Sequence, residues 1–227
     1  MQNASSDRAR CDAPRAFRDR REAGELLASR LRRFANRDDV VVLALPRGGV
    51  PVAYEVARDL GLPLDVFTVR KLGVPGHEEF AMGAIASGGA QVLNFEALDM
   101  LRIPRASIVH VVDEERRELA RREHLYRDSR PYPVLDGKTV ILVDDGLATG
   151  ASMLVAVLAL RQKHPSRVVV AVPVAAPDVA DLLRRHADEV VCYMTPEPFS
   201  SVGSWYEDFS QVADDDVRAL LNRAAAR

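Results

Sequence analysis

The 227-residue sequence holds only two cysteines, Cys11 and Cys192. They stand far apart and form no CxxC, which argues against a disulfide framework or a zinc knuckle and fits a reducing cytoplasm. Nor does charge of one sign dominate, since 31 Lys and Arg against 33 Asp and Glu leave a net charge of −2. A nucleic-acid or membrane partner usually calls for a basic face. Small molecules are therefore the expected partners, with no nucleic acid and no membrane. No run approaches the ~18 uninterrupted apolar residues of a membrane span. The polar start MQNASSDRARCDAPR also lacks the apolar core of a signal peptide. A soluble, cytoplasmic protein is expected, without internal repeats or low-complexity tracts.

What the chain does hold is 48% hydrophobic residues, enough for a real core. Residues 1–14 read as a disordered leader and 15–227 as one domain. FRDRREAGELLASRLRRF places Phe17, Leu27, Leu31 and Phe34 on one helical face. Glu22 and Glu25 interleave with the arginines of its other face, so that face reads as solvated. Short runs rich in valine and leucine follow: VVVLAL (40–45), LDVFTV (64–69), TVILV (139–143), RVVVAVPV (167–174) and EVVCYM (189–194). Such runs suit strands covered on both faces. Helical stretches separate most of them, so the fold class is α/β: an open, mostly parallel twisted sheet with helices on both faces.

The interval 73–137 departs from this rhythm. GVPGHEEFAMGAIASGGAQVLN is rich in glycine and reads as a flexible loop over about 70–90, with a small hairpin around Ala84-Ile85 and Val92-Leu93. Residues 104–127 turn helical, with Asp113 and Arg117, and Glu118 and Arg122, spaced to pair at i, i+4. Residues 214–226 read as a helix whose acidic start, Asp214 to Asp216, suits the helix dipole.

In an open parallel sheet, ligands bind beyond the carboxyl ends of the strands, and the candidate loops fall there. They are PRGG (46–49), RKLG (70–73), DDGLATG (144–150), AAP (175–177) and TPEPF (195–199). In VILVDDGLATGAS, residues 146–152 lie between a strand and the first turn of a helix, where unpaired backbone N–H groups favour an anion. Small residues let the backbone approach closely, and Thr149 and Ser152 add hydroxyl donors. No Lys follows the last glycine, so this is not a Walker A loop, and the chain has no GxGxxG. Asp144 and Asp145 call for hydroxyl donors or a divalent cation rather than a phosphate. Together the features suggest a sugar phosphate with its phosphate in the loop and its cis-diol on the aspartates. Taken singly, adjacent acids and glycine-rich loops also occur in receiver domains and plain turns.

The joint pattern resembles the phosphoribosyl pyrophosphate (PRPP) loop of type I phosphoribosyltransferases, and LALPRGGVPVA (43–53) resembles their pyrophosphate loop. The likeness implies that Asp144 and Asp145 hold the ribose hydroxyls. It also implies that Gly146, Leu147, Ala148, Thr149, Gly150, Ala151 and Ser152 form the 5'-phosphate loop. Arg47, Gly48 and Gly49 would hold the pyrophosphate, often through an unusual cis peptide. Mg²⁺ would bridge pyrophosphate and ribose oxygens, with Asp144 and Asp145 as possible metal contacts. Cleavage at the anomeric carbon needs charge neutralisation and positioning more than a nucleophile. Arg70 and Lys71, with Asp145, are the catalytic candidates. Lys71 is one of three lysines, beside Lys138 and Lys163, and an ordinary surface lysine is its alternative.

His77, Glu78 and Glu79 sit in the same loop, either as acid–base groups or as solvated residues. His110, His124, His164 and His186 show no metal-ligand spacing. The tail residues Phe199, Trp205, Tyr206 and Phe209 form the densest aromatic cluster. By resemblance, residues 195–227 build a hood over the acceptor, with Phe199 and Trp205 as its candidates; the alternative is that these rings anchor the C-terminal helix. In 6-oxopurine members an aspartate precedes the Thr-Gly pair where this chain has Ala148, and LATG looks more like the adenine and uracil enzymes. The 73–89 stretch matches neither. Two functions remain: an Mg²⁺-dependent enzyme transferring 5-phosphoribosyl to a nucleobase or other nitrogen acceptor, or a non-catalytic PRPP or nucleotide sensor. A homodimer is expected from the family.

Overall fold

The computed structural model describes residues 15–74, 77–94, 98, 100, 101, 103–127 and 130–227; the expected leader, 1–14, lies outside them. In chain order the elements begin with α1 (Arg20–Arg30), β1 (Val40–Ala44), α2 (Gly49–Leu60) and β2 (Leu64–Val66). There follow β3 (Val69–Val74), β4 (His77–Ala86), β5 (Ala90–Leu93) and α3 (Arg105–Arg127). The second half runs β6 (Thr139–Val143), α4 (Ala151–Arg161), β7 (Arg167–Val174), α5 (Pro177–Leu183), β8 (Glu189–Met194) and α6 (Asp214–Ala225).

Five of these strands form one parallel sheet in the order β2-β1-β6-β7-β8. The apolar runs of the three central strands, β1, β6 and β7, follow from burial on both faces, whereas the edge strands β2 and β8 are largely half-buried. Val41 and Leu43 of β1, with Val140 and Leu142 of β6, point into one core layer, which Met153, Val157 and Leu160 of α4 and Leu183 of α5 complete. Val40, Val42, Ile141 and Val143 point into the other, against Leu27 and Leu31 of the α1 region, Val52 and Val56 of α2, and Val217 and Leu221 of α6. Each such Val or Leu contributes about 1.5–3 kcal/mol by leaving water.

This winding places the site. From β1 the chain steps outward to β2, then returns through the second sheet and α3 to β6 on the other side of β1. The direction reverses between β1 and β6, and a crevice opens where the loops after two such strands diverge.

At the N-terminal end, Asp19 caps α1 by accepting from the Glu22 N–H at 2.8 Å. Leu27, Leu31 and Phe34 are buried as their spacing implies. Phe17 is buried too, but it precedes the helix and bridges to Tyr206 rather than sharing the helical face.

Residues 69–93 depart most from expectation. The stretch read as a flexible loop runs as strands, forming an antiparallel sheet in the order β3-β4-β5. The expected hairpin is present within it, with Ala84 opposite Val92. Gly83 suits close packing rather than looseness, since a Cβ there would lie 2.4 Å from the Val92 carbonyl oxygen, while Gly88 and Gly89 take positive φ in the turn between β4 and β5. Leu72, Met82 and Ile85 pack with Val112 and Leu119 of α3, while Ala86 and Ala90 join the layer under α4. Within α3, Glu118 pairs with Arg122 at 2.8 Å as spaced, and with Arg121. These partners hold the Glu118 carboxyl down at about 2. Asp113 instead lies nearest Arg116, at 3.7 Å.

Candidate active site

The loops after β1 and β6 meet at the crevice. Leu45 donates its N–H to the Val143 carbonyl at 2.9 Å, extending the ladder until Asp144 and Asp145 turn away. Opposite them the β1 loop carries a cis peptide between Pro46 and Arg47, then Gly48 and Gly49. The two glycines are dictated by contact. A Cβ on Gly48 would lie 2.0 Å from Asp145 Oδ2, and one on Gly49 would lie 2.9 Å from the Asp144 Cα. Only a chain without a side chain brings this backbone against both acids.

Asp144 and Asp145 are not equivalent. Asp144 Oδ1 accepts the Asp145 N–H at 2.9 Å. Burial, with a second carboxylate beside it, holds the Asp144 carboxyl well above the usual range. Burial raises Asp145 as well, but the Arg20 guanidinium opposes it.

Arg20 is the residue that sequence reasoning missed. Its face of α1 was expected to be solvated, yet its side chain is 11% exposed. Nε donates to Asp145 Oδ2 at 2.8 Å and an Nη donates to the Ser210 carbonyl at 2.8 Å. The guanidinium lies 3.9 Å from the Phe209 ring centroid. The glutamates that suggested a solvated face do pair outward, Glu22 with Arg18 and Glu25 with Arg21. Nothing within the helix distinguishes Arg20, because its partner stands 125 residues away. Tyr206 completes the frame, its hydroxyl donating to the Asp145 carbonyl at 2.6 Å. Arg20, Arg47, Gly48, Asp145, Phe209, Gln211 and Val212 line a cavity of about 360 Å³.

Beyond the acids, the chain enters α4 through Gly150, which caps the helix at φ 68° and sits so close to Val179 that a Cβ would lie 2.5 Å from it. Leu147 turns inward, buried and bridged to Ala175. Ala148, Thr149, Ala151 and Ser152 are exposed. A helix leaves the N–H groups of its first turn unpaired; with two hydroxyls beside them, this mouth can take an anion the size of a phosphate.

The other candidates are dispersed. Arg47 lines the cavity, its nearest carboxylate being Asp214 at 3.9 Å. Arg70 does not line it: on β3 it donates to Glu115 of α3 at 2.6 Å, which corrects its placement at a strand end of the parallel sheet. Lys71 is exposed on β3 opposite Ala84, and is likewise not among the lining residues. His77 is exposed at the start of β4; the side chains of Glu78 and Glu79 lie outside the described residues. Phe199 and Trp205 are half-buried and pack around Phe17, Val174 and Tyr206. Phe209 is the aromatic ring lining the cavity at Asp145.

This geometry has counterparts. Residues 18–203 match the model of the phosphoribosyl transferase domain. The chain is 45% identical over 208 residues to a protein provisionally named a phosphoribosyl transferase in two strains of Mycobacterium tuberculosis, CDC 1551 and H37Rv. The match covers 92% of this chain and 47% of those relatives, so the chain spans about half their length. The crystal structure of TT1426 from Thermus thermophilus is 48% identical, with a TM-score of 0.80 over 92% of this chain and 98% of that one. With the paired acids, the glycine loop opposite them and the open helix mouth all inside the matched span, the chain belongs to the phosphoribosyl transferase domain family.

Proposed function

We propose that the protein binds PRPP at the carboxyl ends of β1 and β6 and transfers its 5-phosphoribosyl group to a nucleobase or other nitrogen acceptor, with release of pyrophosphate. The contact of Gly48 and Gly49 with Asp145 and Asp144 carries this reading. It sets backbone suited to a diphosphate beside two carboxylates suited to a diol, with the helix mouth one loop further on.

In this reading, residues 146–152 hold the 5'-phosphate through backbone N–H groups and the hydroxyls of Thr149 and Ser152. Asp144 and Asp145 accept from the ribose hydroxyls. Arg47, Gly48 and Gly49 hold the diphosphate. The bond from the anomeric carbon to the diphosphate oxygen breaks, a bond to the acceptor nitrogen forms, and that nitrogen gives up its proton. Positive charge at the departing diphosphate lowers the barrier without a covalent intermediate. The two carboxylates are hard oxygen donors of the kind Mg²⁺ takes, and Arg20 engages only Oδ2 of Asp145. Mg²⁺, when bound, neutralises the diphosphate and steadies the ribose oxygens. Phe199 and Trp205 are the proposed acceptor side, and Lys71 the proposed basic residue of the second sheet.

PRPP with Mg²⁺ should raise the thermal midpoint, and Asp144→Asn combined with Asp145→Asn should abolish the shift. An unchanged wild-type midpoint at millimolar ligand rejects the PRPP reading. A screen of nucleobases for pyrophosphate release then identifies the acceptor. The second reading, a PRPP or nucleotide sensor, draws on Arg70, whose pairing with Glu115 occupies a residue expected at the leaving group; binding without release for any base favours it. The homodimer is tested by analytical ultracentrifugation, where a strict monomer removes it.

A further inference from the structure

Two arginines from distant parts of the chain face one small cavity. Arg47 comes from the loop after β1 and Arg20 from the first turn of α1, and Gly48 and Asp145 line the cavity with them. Both keep donors to spare. A guanidinium carries five N–H groups, and Arg20 uses one on Asp145 and one on Ser210. Arg47 pairs among the described carboxylates only with Asp214, through one Nη at 3.9 Å.

Arg20 is also held as a binding group rather than left as a mobile surface charge. Asp145 fixes one edge of its guanidinium, the Ser210 carbonyl fixes another, and Phe209 lies against its face. Phe209 is itself backed by Gly203, where a Cβ would lie 2.9 Å from the ring. A guanidinium fixed in this way loses little rotamer freedom on meeting an anion, and its fork suits phosphate oxygens. Pairing with Asp145 alone would explain one hydrogen bond. It does not explain a guanidinium stacked on an aromatic wall of the same cavity that Arg47 enters.

We propose that Arg20 is a second diphosphate-binding residue, so that the leaving group is gripped between Arg47 on the β1 loop and Arg20 on the N-terminal helix. The inference rests on the PRPP reading above. It assigns a binding role to the N-terminal helix and makes the 209–212 segment the outer wall of the diphosphate site.

Titration calorimetry with pyrophosphate, PRPP and ribose 5-phosphate, each with Mg²⁺, tests it on wild type, Arg20→Gln and Arg20→Lys. Loss of a charge-assisted contact should weaken pyrophosphate and PRPP by about 10- to 100-fold in Arg20→Gln. Ribose 5-phosphate, which lacks the diphosphate, should weaken far less, because Gly48 and the Tyr206 hydroxyl still frame Asp145 once its Arg20 partner is gone. Arg20→Lys, which keeps the charge but not the fork, should recover part of the loss. Unchanged pyrophosphate affinity in Arg20→Gln overturns the inference while leaving the PRPP reading intact. An equal loss for ribose 5-phosphate also overturns it, since Arg20 would then only position Asp145. A wild type that binds none of the three removes both readings.

Discussion

The parallel sheet and the antiparallel sheet of this protein solve burial differently. In β1, β6 and β7 almost every residue is buried, because helices cover both faces. In β3 the side chains range from exposed Lys71 to fully buried Leu72, and the pairing with β4 is interrupted near Gly73. The first arrangement fixes strand ends rigidly, and the two acids and the glycine loop stand on those ends. The second is a smaller unit clamped between α3 and α4, and none of its described residues lines the cavity at Asp145. The residues proposed for binding thus stand on the buried parallel sheet, as a preorganised site requires.

The largest test of that contrast is Leu142→Ala. Leu142 is fully buried in the strand that leads to Asp144. Chemical denaturation should show a loss of about 2–5 kcal/mol. A loss well below that range would mean the central strand is less tightly packed than its burial implies.

A smaller and opposite effect is expected at Asp144. Its carboxyl is raised in the folded state, so the native protein keeps a proton that the unfolded chain releases above about pH 3.9. Stability of the ligand-free protein should therefore fall as pH rises from there through the raised folded value. Asp145, also raised, adds a slope of the same sign. Asp144→Asn should flatten the profile and melt a few degrees higher than wild type at pH 7, on a scale of about 2–4 °C per kcal/mol. A lower midpoint with an unchanged slope would show that the buried acid stabilises the fold.

The smallest effect belongs to the second sheet. Arg70→Ala breaks a partly exposed pair with Glu115, which should cost about 0.2–1 kcal/mol and leave PRPP affinity unaltered. If denaturation instead shows a large loss, or PRPP binding collapses, the two sheets are not as separable as their cores suggest.

These differences also mark what could be read in advance. The central strands β1, β6 and β7 were legible because burial on both faces leaves a continuous apolar run, which needs no knowledge of the partner strand; the run at 64–69 proved to be split, with Leu64–Val66 in the parallel sheet and Val69 opening β3. Asp144, Asp145 and the small residues after them were legible because a strand, an acid pair and a helix start are contiguous in sequence. Beyond the hairpin at 84–85 and 92–93, the strands at 69–74 and 77–86 were not, since a glycine that permits close antiparallel packing, such as Gly83, looks the same as one that loosens a loop. Phe17 fell on the helical period but leaves the helix to meet Tyr206.

The sequence by itself determined the layered α/β core and the order of its loops, because local periodicity and turn chemistry act between near neighbours. Only the tertiary structure decided that Arg20 would neutralise Asp145, that Gly48 would touch it, and that Phe209 would wall the cavity beside them. The hydrogen bonds that frame this corner join residues from 61 to 190 positions apart. Such proximity is created by the sheet that brings strand ends together, and no local pattern encodes it.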